Sequence, residues 1–305
     1  MKMNFRLKAL AAATIMATSM PLSAAMDGAD SGNGSLLVNF RSYVGSPTSG
    51  NNDISAVFDL GVNMNDVIGW NGTAGFNRTW DLSTGLMSGT GISGSQAIGS
   101  YGGTWNDLFN GVAAADQPKI EYSVMALDNT DKTIQGGGSR YLTTANVTNF
   151  PSLPNANLNG FDNMNLYVNA NNSRGTHATE ANGASIATPT DDPNSYFAAI
   201  NGFGQGDNWL TKTTADTTKT LDTEQSFWYL ATSSLTSHHQ AIKTPFGVDL
   251  NGDGIMDANE FSKWSVNADA GTISFAAPIP EAQTWAMMLA GLGMIGMMVR
   301  RRVNV

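Results

Sequence analysis

Lys119-Ile-Glu-Tyr-Ser-Val-Met-Ala-Leu127 is the stretch that sets the fold class. Ile120, Tyr122, Val124 and Ala126 fall on one face of an extended chain, and Lys119, Glu121 and Ser123 on the other. Side chains alternate with period two in a strand, and β-branched and aromatic residues fit its pleated surface. The same alternation recurs upstream, where Leu36, Val38 and Phe40 interleave with Leu37, Asn39 and Arg41, and again at Ala56, Phe58 and Leu60. Downstream, Phe227-Trp-Tyr-Leu-Ala231 reads as a buried strand by content. Lys263 to Val266 and Thr272 to Phe275 flank Asn267-Ala-Asp-Ala-Gly271, which reads as a hairpin with a five-residue turn.

Helical spacing is rare. Trp105, Leu108, Phe109 and Val112 follow i, i+3, i+4 and i+7 behind Thr104, a capping residue with Asp107 at its third position. Val62 to Ile68 reads as a short helix capped by Asn63, with Asp66 three residues on. Residues 69 to 103 read as loop, rich in Gly, Ser and Thr. Asp128 to Gly138 reads as a loop closed by Ser139 to Thr144, and Asn149 to Gly160 as coil. Leu166 and Val168 mark a short strand or helix end. Residues 170 to 195 are polar, hold little core material and read as a surface insertion. The expectation is a mainly β, sandwich or jelly-roll-like extracellular domain over residues 26–277, with few short helices and one C-terminal hydrophobic helix. No repeat of about 20 to 50 residues is visible.

Charge is unevenly spread. Six of the 16 basic residues lie in the two termini, and none of the 25 acidic ones does if Glu281 is counted with the body. The body therefore carries −15, a surface that repels nucleic acid and attracts divalent cations. There is no cysteine, so disulfides and zinc–thiolate sites are excluded. Charged residues make up 13% of the chain, against about 25% in typical domains, and neutral polar residues take their place. Such surfaces suit contact with sugars.

The two ends read as targeting segments. Lys2, Arg6 and Lys8 precede an apolar stretch from Ala9 to Met20, followed by Pro21-Leu-Ser-Ala-Ala25. That is the three-part layout of a signal peptide over residues 1–25, cleaved after Ala24 or Ala25. At the other end, Ala282 to Val299 is 18 residues without a charge, backed by Arg300, Arg301 and Arg302. This is near the lower limit of about 17 to 25 residues for a membrane helix, and the arginines would hold that end in the cytoplasm. The run has no amphipathic face, which argues against a core helix. Gly291, Gly293 and Gly296 permit close helix approach, though small-residue spacing alone says little about dimers.

Pro280-Glu281 ahead of a short Gly/Met/Leu-rich span and an arginine cluster resembles the PEP-CTERM sorting signal, here over residues 278–305. Ala282 stands where the motif normally has a second proline. The resemblance implies recognition and processing by an exosortase, a membrane protease. It also implies a Gram-negative bacterium that makes exopolysaccharide, and a location at the cell surface or outside the cell after sorting. The rival for the same span is a permanent anchor. Trp105-Asn-Asp-Leu-Phe109, Ser123-Val-Met-Ala-Leu-Asp128, Arg140-Tyr-Leu-Thr-Thr144 and Ser226-Phe-Trp-Tyr-Leu230 loosely resemble uncharacterised secreted proteins with this tail, which have no assigned chemistry.

The strongest local motif is Asp249-Leu-Asn-Gly-Asp-Gly-Ile-Met-Asp-Ala-Asn-Glu260, which fits the twelve-residue calcium loop D-x-[DN]-x-[DN]-G-x5-E. Calcium takes six to eight oxygens at about 2.3 to 2.6 Å. Asp249, Asn251 and Asp253 supply side-chain oxygens, Ile255 its carbonyl, Asp257 a direct or water-mediated contact and Glu260 two oxygens. Thr244-Pro-Phe-Gly247 breaks any helix before the loop, and Phe261-Ser-Lys-Trp264 leaves one turn after it. An isolated EF-hand-type loop fits better than a sensor hand, and the alternative is an Asp/Asn/Gly-rich turn that binds no ion.

Other chemistry finds thinner support. His177 lies in the polar segment, and His238 and His239 are adjacent and would point apart in a strand. No G-x-S-x-G elbow surrounds a serine. The acids single out no glycosidase pair. Glycine pairs such as Gly202 and Gly206 have no nearby Lys for phosphate. Trp105, Trp228 and Trp264 read as core, whereas Trp70, Trp80 and Trp209 in Gly/Asn-rich loops read as surface candidates for sugar stacking. Five Asn-x-Ser/Thr sequons are near chance in so Asn/Thr-rich a chain. The leading expectation is a non-enzymatic surface or exopolysaccharide-matrix protein, followed by a calcium-dependent carbohydrate-binding module and then a polysaccharide hydrolase.

Overall fold

The computed structural model describes residues 25–42, 53–129, 139–158, 163–192, 194–197, 216–234, 236–280, 290 and 292–295. Among them, thirteen strands form one antiparallel sheet. They are β1 (Ser35–Ser42), β2 (Ile54–Asn63), β3 (Asn77–Asp81), β4 (Leu86–Gly89), β5 (Ser95–Ala97), β6 (Glu121–Asp128), β7 (Arg140–Ala145), β8 (Ala184–Ala187), β9 (Lys219–Thr220), β10 (Gln225–Ala231), β11 (Ile242–Pro245), β12 (Lys263–Asn267) and β13 (Thr272–Ala276). The spatial order is β5-β4-β3-β13-β12-β10-β7-β6-β1-β2-β8, with β11 added to β10 and β9 to β6. Four short helices attend it: α1 (Met64–Ile68), α2 (Thr104–Asn110), α3 (Asn155–Leu158) and α4 (Asn163–Asn172).

The mainly β fold expected from the alternation takes the form of one large sheet curled into a half-barrel. Laid flat, eleven strands at about 4.8 Å spacing would put β5 and β8 roughly 48 Å apart. Instead the two ends meet. The Trp80 Nε1–H of β3 donates to the Leu60 carbonyl of β2 at 2.9 Å. The Tyr101 hydroxyl donates to the Asp59 carbonyl at 2.7 Å. Asn182, just before β8, donates its Nδ2–H to the carbonyl of Ile98, just after β5, at 2.5 Å. Right-handed strand twist supplies the curvature, and these bonds hold a seam that would otherwise present two open edges.

Curling gives the sheet two apolar faces. Inside lie Phe40, Phe58, Trp80, Tyr122, Phe227, Trp264 and Phe275. Trp80 stacks on Trp264 at 5.5 Å, and Trp105 from α2 plugs against Phe40 at 5.2 Å. Outside, Leu37, Met125, Tyr141, Trp228 and Leu230 pack under Phe150, Leu153, Leu158, Tyr167 and Val168. The central strands are therefore buried on both faces, and β1 is buried along its whole length.

Two expectations fail, for one reason. Residues 170 to 195, expected as a polar insertion, hold the end of α4 and the edge strand β8, paired with β2. Residues 69 to 103, expected as loop, hold the meander β3-β4-β5. Neither segment shows a clean apolar alternation: residues 69 to 103 bury Trp70, Phe76, Trp80, Leu82, Met87 and Tyr101 at irregular spacing, and residues 170 to 195 satisfy buried polar groups internally. Asn171 is 1% exposed, donates to the Tyr167 and Ser195 carbonyls, and accepts from the Ser185 hydroxyl at 2.7 Å. Gly89 ends β4 at φ +128 against the Asn77 carbonyl, where no side chain fits. Of the two alternatives for Leu166 and Val168, strand or helix end, the structure has helix, in α4, and α3 interrupts the coil expected over residues 149 to 160.

Candidate functional site

The twelve-residue motif sits at the tip of a β-hairpin. Gly247 and Phe261 form an antiparallel bridge. The Val248 N–H donates to the Glu260 carbonyl at 2.9 Å, and the Ser262 N–H to the Phe246 carbonyl at 2.8 Å. No helix flanks it on either side, as Thr244-Pro-Phe-Gly247 implied. Within the loop, Asp249 accepts the N–H groups of Gly252 at 2.6 Å and Gly254 at 2.9 Å. Gly254 makes the sharp turn at φ +79. Asp253 accepts the Ile255 N–H at 2.8 Å. Asn251 accepts the Asp253 N–H and donates to the carboxylates of Asp253 and Asp257, each at 3.3 Å. Glu260 is 2% exposed. Its Oε1 accepts from Leu250 and Asn251 and its Oε2 from Asp257, at 2.8, 3.2 and 2.9 Å.

The predicted ligands Asp249, Asn251, Asp253, Asp257 and Glu260 thus share one loop, and Ile255 could give only its carbonyl, its side chain being 66% exposed. Among the described residues, no group of three or more carboxylates or imidazoles stands close enough to hold an ion. The loop is closed by its own hydrogen bonds. A carboxylate oxygen that accepts one N–H keeps a second lone pair, so the donor set still has the chemistry of a hard-cation site.

The other titratable groups are mostly structural. Burial pushes the Asp59 carboxyl up to about 7 against a hydrogen bond from the Gly61 N–H. His177 is buried, its Nε2 makes no hydrogen bond, and burial pulls its pKa down to about 4, so the ring is neutral. His238 and His239 stand edge to face at 5.1 Å, and the His239 Nδ1 lies 3.2 Å from the Ser234 hydroxyl on the surface. Arg41 is held inside the wall by Glu121 at 2.7 Å and Thr218 at 3.0 Å.

Trp105, Trp228 and Trp264 are core residues, as expected. Trp70 and Trp80, expected on the surface, are buried too: Gly-rich flanks let the chain turn them inward, where Trp70 stacks on Phe76 at 5.0 Å. Trp209 lies outside the described residues. A cleft of about 540 Å³ opens between the end of α2, the segment 114–118, the β9–β10 turn and the β12–β13 turn. No motif flagged it, because its residues come from four separated segments.

The body runs into its tail without a spacer. β13 lies between β12 and β3. Beyond it, the Ala277 N–H donates to the Phe76 carbonyl at 2.7 Å and the Pro278 carbonyl accepts the Gly75 N–H at 2.9 Å. Ala277 is buried, and the chain comes free only at Ile279, 70% exposed. These two bonds dock Ala277 and Pro278 against the segment that precedes β3. The expected signal peptide, and most of the span Ala282 to Val299, lie outside the described residues. Residues 292–295 are helical and exposed. Among the described residues, no helix is long and apolar enough to cross a membrane.

Comparison with known proteins bears on this end alone. A β body continuous with a terminal targeting segment defines the class of exported, C-terminally sorted proteins. Residues 278–302 match the family model described as the PEP-CTERM protein-sorting motif. The protein therefore carries a PEP-CTERM tail, the substrate signal of an exosortase, and is secreted and surface-sorted through it. No curated protein and no solved structure matches the chain, so the loose resemblance of the four body segments gains no support.

Proposed function

We propose that this is a non-enzymatic protein of the cell surface or exopolysaccharide matrix, delivered by tail processing. The observation that carries the reading is the contiguity of β13 with the matched motif, which leaves the folded body itself as the delivered cargo. A body of −15 with few charged residues otherwise suits a hydrated, sugar-rich setting. The intact mass of the protein in membrane and medium fractions tests this. Loss of both residues 1 to 25 and everything beyond about Pro280 is the expected result. Retention of Arg300 to Arg302 in the membrane fraction means a permanent anchor, and would trace to Ala282 at the motif's third position.

We also propose that the loop 249–260 takes calcium, as a stabilising ion and not a catalytic one. The ring of Asp249, Asn251, Asp253, Asp257 and Glu260 around one turn supports it, with Ile255 giving its carbonyl. Outside the cell, millimolar calcium would keep even a weak site of this type filled.

A further inference from the structure

We infer that the 540 Å³ cleft is a saccharide-binding site, selective for sugars that carry no acidic group. Its volume is within the range of about 300 to 1,000 Å³ of small-molecule sites. Two other clefts make the comparison. One, of about 460 Å³, contains Arg174, already paired with Asp191 at 2.8 Å. The other, of about 340 Å³, contains Lys263, whose ammonium donates to the Ser226 hydroxyl at 2.8 Å. Neither has an aromatic wall. The 540 Å³ cleft is lined by Phe109, Leu221 and Val266 together with the exposed Asp222 and Asp269.

The parts are held in place before any ligand arrives. The Phe109 ring rests on Trp105 at 4.8 Å. The Gln117 amide donates to the carbonyls of Phe109 at 3.0 Å and Val112 at 3.4 Å, fixing the end of α2. The Thr220 and Thr223 hydroxyls donate to Asp222 at 2.5 and 3.4 Å. Among the described residues, no ion pair involves Asp222 or Asp269. Two uncompensated carboxylates repel phosphate, sulfate and uronate groups and accept hydrogen bonds from hydroxyls. A flat ring beside them offers the apolar face that the C–H side of a pyranose covers. A bare metal ion would make no use of that ring. Asn267 ends β12 and Asp269 follows it, at the opposite end of that strand from the loop 249–260, so calcium should not govern the cleft.

The inference deepens the matrix reading, and rests on it only for where the ligand is met. Retention on a column reports on the cleft whether or not the tail is processed. The protein, purified from the envelope or medium, would be run on immobilised dextran, chitin and polygalacturonate, with and without chelator. Expected is retention on dextran or chitin that survives chelation and weakens about tenfold, or roughly 1.4 kcal/mol, in both Phe109→Ala and the Asp222→Asn/Asp269→Asn double variant. Phe109 packs on Trp105, so the double variant, altered only at exposed carboxylates, decides the matter if Phe109→Ala unfolds. Retention on polygalacturonate alone, retention unchanged in the double variant, or no retention on any of the three overturns the inference.

Discussion

Glu260 gives the sharpest prediction, because it separates two roles of one side chain. Its carboxylate is 2% exposed and accepts three backbone N–H groups from Leu250, Asn251 and Asp257. Glu260→Ala leaves those donors, on half-buried Leu250 and exposed Asn251 and Asp257, to water in place of a charged acceptor. Hydrogen bonds to a charged group contribute about 1.5 to 3 kcal/mol each, and three sharing one carboxylate are not additive, so a loss of about 3 kcal/mol is expected without any ion. Glu260→Gln keeps an oxygen for Leu250 and Asn251 and sets an amide N–H against that of Asp257, so it should cost about half as much. Calcium adds a second term. A dissociation constant of about 10⁻⁴ to 10⁻³ M and about 10 mM calcium stabilise by roughly 1.4 to 2.7 kcal/mol. For a body of this size that raises the melting temperature by about 3 to 10 °C. Thermal scans with chelator and with calcium read both terms. In the parent, calcium should raise the midpoint; in Asp249→Ala/Glu260→Ala it should not. A parent that shows no rise ends the calcium reading. A Glu260→Ala protein that melts with the parent in chelator refutes the hydrogen-bond reasoning itself.

Four other outcomes follow from the fold. The Asp59 carboxyl keeps its proton up to about 7, mainly through burial, whereas in the unfolded chain it ionises near 4. The folded state therefore loses stability as pH rises from about 4 to 7, by of order 4 kcal/mol, and urea titrations of Asp59→Asn across that window should lack this decline. Glu121→Ala removes the carboxylate paired with the buried guanidinium of Arg41, which keeps Thr218 as a partner, and should cost about 3 kcal/mol by urea unfolding. Trp80→Phe removes the N–H that bonds Leu60 across the curl and should cost about 2 kcal/mol, with faster amide exchange in β3. Asn182→Ala breaks the bond to Ile98 and should speed exchange in β5 while leaving β6 and β7 protected; uniform loss of protection would count against a local seam.

The sequence was readable where strands bury one apolar face cleanly. Ile120, Tyr122, Val124 and Ala126 announced β6, and the hairpin β12–β13 appeared close to its expected bounds. Asn63 with Asp66 formed the expected capping box, whereas Thr104, expected as a cap, is the first residue of α2, with Gly103 at the cap position. The second apolar face of the central strands was hidden, because Leu37, Met125 and Trp228 break a polar–apolar alternation without proposing another pattern. The edge strand β8 was invisible, since Asn171, Ser185 and Ser195 trade hydrogen bonds in place of apolar contact. The loop 249–260 was legible as a motif to the residue. That Glu260 staples it through backbone N–H groups was not, since that depends on Phe246, Gly247 and Phe261 closing the hairpin behind it. The cleft was unreadable, because its walls are brought together only by the curl.

The place of β13 in the strand order has a consequence for export. Its neighbours are β12, next to it in the chain, and β3, almost 200 residues earlier. A chain crossing a membrane amino end first delivers β3 early and β13 last. Until Thr272 to Ala276 emerge, β3, β4 and β5 have no strand to join them to the rest of the sheet. Pairings so distant in sequence are slow to form and late to pay back their loop entropy. In a chain exported that way, closure of the half-barrel would wait for β13, which lies directly ahead of the sorting motif.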